Sequence, residues 1–412
     1  MRRIKITALI MALCISLSIA VSCKEENKGE DLSSPAKIRQ NYIDHLNEKY
    51  ADYTEVAYGL DITKKTDIVS ICYSTWFNVV LGNNKNPPNI TEILEKGEKT
   101  GRYNWGGENA FHYWAEPALG YYKSDDVDVI RTHMTQLADA GVDFIIIDNT
   151  NMDKTRTKNG EWRKYVTLPC EAILNTIVEM RGEGLKTPYV VFWSGSWSGT
   201  DWAVVDKTYD DFHAEEKWKD CFVYWDGKPL TLVTSMPSSK PNKEVTVREL
   251  FGLDSDLGPD RWSFLQHVNE ANPDKDGYTE QMCICTAAQR SYMSKKSAQG
   301  REHGIFMYTQ WYNAFQYRPK VVTITWWNEW AAQRKVLDGE SHFTDNYNQE
   351  YSRDIEPMKG GHGDLYYQWT KTYISAYKNL EECPVLVDEG FVDQAKDEAL
   401  RNYATLQEKE QK

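Results

Sequence analysis

The stretch Ser124–Asn151, SDDVDVIRTHMTQLADAGVDFIIIDNTN, decides the fold class. Ser124 is the expected N-cap of a helix over Asp125–Ala140, acids fill its first turn, and Gly141 stops it. Val142–Asp148, VDFIIID, follows as an apolar strand that closes on a carboxylate. A strand apolar on both faces belongs to a parallel sheet covered by helices, because an open antiparallel sheet would alternate apolar with polar.

The same alternation extends outward from this unit. Upstream, Ala36–Tyr53 has helical spacing, Asp67–Phe77 is a strand rich in β-branched and aromatic residues, and Asn78–Asn109 is loop-like and rich in Gly, Asn and Pro. Downstream, helix Leu168–Arg181 precedes strand Pro188–Trp193, and helix Asp210–Asp220 precedes strand Pro229–Thr234. Val245–Phe251 is expected as a short helix, and Trp262–His267 and Gln281–Thr286 as strands. Helix Gly300–Tyr317, strand Val321–Trp327 and helix Gly363–Asn379 complete the pattern. This is α/β, and the length of 412 residues favours a single large (β/α)8 TIM-like barrel. Two weak linking helices keep a doubly wound open sheet as the alternative. The organisation expected is a lipoprotein signal peptide over 1–22, a lipid-anchored tether over 23–36, the barrel over 37–392 and a charged helical tail over 393–412.

The first residues read as an address. Arg2, Arg3 and Lys5 precede an uncharged run from Ile6 to Val21, too short for a membrane span and suited to a signal peptide. Ala20-Val21-Ser22-Cys23 resembles a bacterial lipobox, which makes Cys23 the lipidated residue. Lys24-Glu25-Glu26 resembles the surface-export signal of Bacteroidetes lipoproteins, so an outer-membrane, cell-surface location is expected, with membrane lipid as a partner through the anchor. The formal charge of −13 argues against a nucleic-acid partner, which requires a basic face. Of the 8 Cys, six lie in the body without framework spacing, and most are expected as buried small hydrophobes. Neither CxxC nor HExxH occurs, so no metal or other cofactor is implied.

Aromatic residues reach 13%, with 15 Trp and 25 Tyr, and suggest a cleft that stacks sugar rings. In α/β barrels chemistry sits where strands end. Five strand ends here carry suitable groups: Trp76, Asp148-Asn149, Trp193 with Trp197, Gln266-His267, and Trp327-Asn328-Glu329. Glycosidic bond cleavage needs two carboxyl groups, and Glu329 with Asp148 are the expected catalytic pair. Glu116, His112 and Trp114 in the loop segment HYWAEP are expected substrate contacts, and Trp311 a further stacking platform.

Gly120–Asn151 and Val321–Trp330, VVTITWWNEW, resemble the glycoside hydrolase family 71/99-like barrels, which include endo-acting α-mannosidases and α-1,3-glucanases. The resemblance implies a (β/α)8 barrel and matches Glu329 to the Glu of the family's Asn-Glu-Trp motif. The family 99 enzymes carry a second Glu three residues later, where this sequence has Ala332. Another carboxylate, Asp148, Glu116 or Glu270, must complete the pair, or the chemistry differs, or there is none. The leading reading is a surface glycoside hydrolase with a glycan substrate, and its rival is a glycan-binding lipoprotein without turnover. A partner for Glu329 is expected from across the barrel mouth, with spacing that inclines toward inversion.

Overall fold

Alternation of side chains along a strand sorts the apolar runs into two buried faces. In the computed structural model, which describes residues 34–158, 160–197, 201–253, 258–266, 270–289, 298–343 and 346–388, eight strands use this rule. They are β1 (Ile68–Tyr73), β2 (Phe144–Asn149), β3 (Tyr189–Ser194), β4 (Lys228–Val233), β5 (Thr246–Leu253), β6 (Arg261–Leu265), β7 (Thr279–Cys285) and β8 (Val321–Thr325). Val69, Ile71, Ile145, Ile147 and Phe192 point to one face, where helices cover them. Cys72, Phe144, Ile146, Val191 and Trp193 point to the other and pack on each other. Burying each large aliphatic side chain contributes about 1.5–3 kcal/mol, so this double-faced burial dominates the stability.

All eight pair in parallel, in the order β6-β5-β4-β3-β2-β1-β8-β7. The two end strands are linked by side chains. Gln281 of β7 accepts from the Ser263 N–H of β6 at 3.0 Å and donates to the Ser263 carbonyl at 2.8 Å. The Trp262 indole donates to Glu280 at 2.7 Å beside them. The fold is mixed α/β, with a sheet of parallel strands whose two end strands are bridged by amide and indole groups.

Five longer helices flank the sheet: α1 (Pro35–Lys49), α2 (Val127–Ala140), α3 (Leu168–Gly182), α4 (Ile305–Tyr317) and α5 (Leu365–Lys378). The last four pack on the outer face of β8, β1, β2 and β3. From β4 to β7 no connection carries a helix among the described residues. Val245–Phe251, expected as a short helix, is instead part of β5. Val247 faces Thr231 of β4, Glu249 faces Arg261 of β6, and Leu250 is buried. Two neighbouring strands offering ladder partners override a weak helical preference. The cap of α2 is also corrected. Asp126 accepts from the N–H groups of Asp128 and Val129, whereas Ser124 takes the Phe77 N–H at 3.1 Å and ties α2 to the end of β1. The loop-like stretch 78–109 contains the helices Phe77–Leu81, in part, and Ile90–Thr100.

The end of the sheet where the strands begin is sealed. Lys320, buried one residue before β8, donates to the carbonyls of Ile62, Thr63 and Lys65 at 2.6, 3.1 and 2.7 Å. Cys72, Cys170, Cys221, Cys283 and Cys285 are buried free thiols, and Cys383 is a half-buried one. No helix among the described residues is long and apolar enough to cross a membrane. The expected signal peptide, Cys23 and the tail over 393–412 lie outside the described residues.

One buried group makes the fold sensitive to acid. His213 sits between Phe192 and Phe222, at 5.4 and 4.3 Å between rings, and neither ring nitrogen has a partner among the described residues. Burial pushes its pKa down to about 3 from the ordinary 6.5. The unfolded chain therefore takes up this proton first, so the stability is fully present above about pH 6.5 and falls as pH drops toward 3. We expect the urea midpoint to fall steadily between pH 7 and pH 4, and His213→Phe to remove a measurable share of that fall. An unchanged pH dependence in the variant would refute this account.

Candidate active site

The C-terminal ends of the strands open into a cleft of about 500 Å³, lined by Trp76, Asp148, Trp193, Trp197, Trp326 and Glu329, together with Thr150, Asn151, Arg156 and Tyr165. Asp148 faces inward because it continues the series Phe144, Ile146 along β2. It is 2% exposed, and its carboxylate accepts from the Thr150 N–H at 2.7 Å. The Trp76 indole donates to the Asp148 carbonyl at 3.3 Å. Glu329, four residues past β8, is 3% exposed, and the Arg353 guanidinium donates to its Oε2 at 2.8 Å.

β2 and β8 both pair with β1, so the strands that lead to the two carboxylates stand two strand spacings apart, about 9–10 Å. Cys72 of β1 lies between them on the same face. Burial pushes its thiol well above the ordinary range, and the charges of Asp148 and Glu329 push it further.

Beneath Glu329 lies a buried polar segment, Ser352–Glu356, that sequence reading missed. Asp354 accepts from the Glu329 N–H and, at 2.5 Å, from the Trp114 indole. The Asn346 side-chain amide donates to the Glu329 carbonyl. Burial pushes the Asp354 carboxyl up to about 7, against the opposing pull of the Trp114 bond and of Arg301. Two residues on, Glu356 accepts from the Tyr122 hydroxyl at 2.6 Å and the Trp330 indole at 2.5 Å, and pairs with His133 at 2.9 Å. In sequence SRDIE has neither strand nor helix periodicity and reads as an ordinary polar loop. Its only signal is two acids and an Arg placed between aromatic-rich stretches.

The expected site residues divide sharply. Trp76, Trp193 and Trp197 join Asp148 and Glu329 in the cleft wall. Trp197 is 56% exposed, with its indole held by the Thr150 carbonyl at 2.7 Å, and offers an open ring face. Gln266 is buried and accepts from the Glu270 N–H at 3.0 Å. Asn149 is buried behind Asp148, beside a small void that Tyr165 and Val166 also line.

Six expected contacts do not line the cleft: His112, Trp114, Glu116, Trp327, Asn328 and Trp311. His112 holds both ring nitrogens against backbone carbonyls, Ala110 at 3.0 Å and Trp105 at 2.8 Å. Trp114 is buried and stacks on Trp330, with centroids 4.8 Å apart. Glu116 pairs with Lys359 at 2.9 Å on the surface. Trp327 lies on the outer face against His133 and Tyr367, and Trp326, one residue earlier, occupies the cleft instead. Val322 and Ile324 face outward in β8, so continued alternation would turn Trp327 inward; the strand ends at Thr325, and beyond it the two indoles take the reverse faces. Asn328 also leaves the cleft, clamping Ser74 through its N–H at 2.8 Å and its carbonyl at 3.2 Å. Trp311 packs in the core on Tyr373. His267 lies outside the described residues. Among the described residues no group of three or more His, Cys, Asp or Glu side chains could hold a metal ion.

No protein-family model matches the chain, and no curated protein matches it. Among solved structures, it is similar to the GH99 endo-alpha-mannosidase of Bacteroides thetaiotaomicron, at 13% identity and a TM-score of 0.49, over 76% of this chain and 98% of that one. The same enzyme in complex with bis-tris-propane gives 14% identity and 0.46, over 76% and 98% of the two chains. A glycoside hydrolase-like protein gives 11% and 0.42, over 80% and 99%.

Asp354 is the group whose removal should be felt most widely. Asp354→Asn replaces one acceptor by a donor, which must face either the Trp114 indole or the Glu329 N–H. Leaving one buried donor unsatisfied costs about 1–3 kcal/mol, and urea unfolding should report a loss of that size. A midpoint equal to that of the unaltered protein would show that these bonds do not hold the segment.

Proposed function

We propose that the protein is a glycoside hydrolase acting on a polysaccharide or host glycan, built on a (β/α)8 barrel, with Glu329 and Asp148 as its catalytic carboxyl groups. The observation that carries this reading is the pair of buried carboxylates in one tryptophan-lined cleft. Trp197 supplies an exposed face on which a sugar ring can stack. The hydrogen bond from Arg353 holds the Glu329 carboxylate in the cleft wall, where we assign it the role of base. Asp148 then acts as the acid that protonates the leaving glycosidic oxygen, while Glu329 takes a proton from the water attacking the anomeric carbon. Inverting enzymes hold their carboxyl groups about 6.5–9.5 Å apart and retaining ones about 5–5.5 Å. Backbones two strands apart support the wider class, and inversion is the outcome we propose.

A second reading has its own support. Ala332 lines the cleft where the family 99 enzymes carry a further Glu, and its methyl group can move no proton. On that reading the cleft binds glycan without turnover. Either way, we propose that Cys23 is lipidated and anchors the body to the outer membrane, with the cleft at the cell surface.

Two measurements test these assignments. Glu329→Gln keeps the shape and removes the charge. It should lower kcat by roughly 10²–10⁴ on any glycan that the protein cleaves, read as new reducing ends, and leave glycan binding within about two-fold. Near-normal hydrolysis by the variant would remove Glu329 from the mechanism, and absence of cleavage by the unaltered protein, with binding intact, would favour the second reading. Cys23→Ala should release the protein from washed membranes, and retention of the variant there would refute the anchor.

A further inference from the structure

An aromatic pair stands on the surface beyond the cleft, in a loop that the catalytic reading leaves unused. Tyr103 and Trp105 lie with their rings parallel to within 6°, at 6.0 Å between centroids. Tyr103 is 47% exposed and Trp105 partly so. The backing of Tyr103 is built for it. Its ring rests on Gly97, in the last turn of the helix Ile90–Thr100, and a Cβ at that position would lie 2.1 Å from the ring. Glycine is a poor helix residue, and here the missing side chain is what lets a flat ring lie on the helix. Trp105 is wedged by Phe343 at 5.4 Å, and its carbonyl is held by His112.

This loop is fastened to the lip of the cleft. Phe111 and Gln333 face each other across two antiparallel strands, and both line the cleft. Gln333 also donates to the Asn109 carbonyl at 3.1 Å. The next residue, Arg334, donates to the Gly106 carbonyl at 2.9 Å, and Lys335 reaches the Asn109 side chain at 2.5 Å. The aromatic pair is thus carried on the same rigid unit as one wall of the cleft. A ligand that leaves the cleft past Phe111 and Gln333 meets this unit.

We propose that Tyr103 and Trp105 form a remote platform that binds the distal units of a neutral polysaccharide chain whose proximal units occupy the cleft. The proposal rests on the glycan reading of the cleft, though not on hydrolysis. Stacking of a sugar on an exposed ring is tolerant of identity and adds affinity for long chains only. It predicts a binding surface that short ligands do not sense.

The test uses the purified full chain with soluble α-mannan and solubilised α-1,3-glucan in affinity electrophoresis, and disaccharides of the same linkages followed by tryptophan fluorescence. Tyr103→Ala should weaken binding of a retained polymer by about five- to ten-fold, and leave disaccharide binding unchanged. Gly97→Ala, which favours the helix and displaces the ring, should reproduce the selective loss without touching either aromatic. The proposal is overturned if both variants bind polymer as the unaltered protein does, if polymer and disaccharide weaken alike, or if the unaltered protein is retarded by neither polymer. Reducing-end release is measured in parallel. Polymer binding that depends on Tyr103 without any cleavage would leave the platform standing and sink the hydrolase reading, and cleavage indifferent to Tyr103 would do the reverse.

Discussion

The hydrogen bond from the Glu329 backbone N–H to the buried Asp354 carboxylate is the constraint on which the cleft depends. A carboxylate side chain at the end of a strand has several rotatable bonds and would cost entropy to hold. Here the backbone is fixed first, from below by Asp354 and at the carbonyl by Asn346, and the side chain is then held by Arg353. Asp354 is itself fixed by the Trp114 indole and, through its carbonyl, by Arg301 at 2.7 Å. Each member of this group is buried, so each needs its partner, and loss of one leaves an unsatisfied group in a low dielectric.

The segment Ser352–Glu356 joins the two halves of the site. Through Glu356 it reaches His133 on α2, Tyr122 and Trp330, and His133 bonds in turn to Tyr73 at the end of β1. Asn328 clamps Ser74 to the same region. The ends of β1 and β8 are therefore locked by side chains beyond the last ladder bond, and Asp148 of β2 is registered against them by its parallel pairing to β1. Such buried polar networks do not maximise stability, but they specify geometry.

The sheet is asymmetric in its cover. Helices shield β8, β1, β2 and β3, the strands that bear Glu329, Trp76, Asp148 and Trp193, while β4 to β7 are joined without helices among the described residues. The rigid half thus carries the charged groups. The other half contributes Phe251 and Phe264 to the cleft, and its end strand meets β7 through Gln281 and Ser263, by side-chain bonds in place of a ladder.

The α/β class, seven of the eight parallel strands and the place of Asp148 at a strand end were legible in the sequence, because they follow from hydrophobic periodicity. VDFIIID can only be a buried strand, and its closing Asp can only stand at the strand's end. The tertiary structure decided the rest. It made VTVRELF a strand through its two neighbours, and put Trp326 rather than Trp327 in the cleft because the alternation of β8 stops at Thr325. It turned His112, Trp114 and Asn328 into supports and brought SRDIE beneath Glu329. Those outcomes depend on which chain segments meet, a property of contacts distant in sequence, and no local pattern records them.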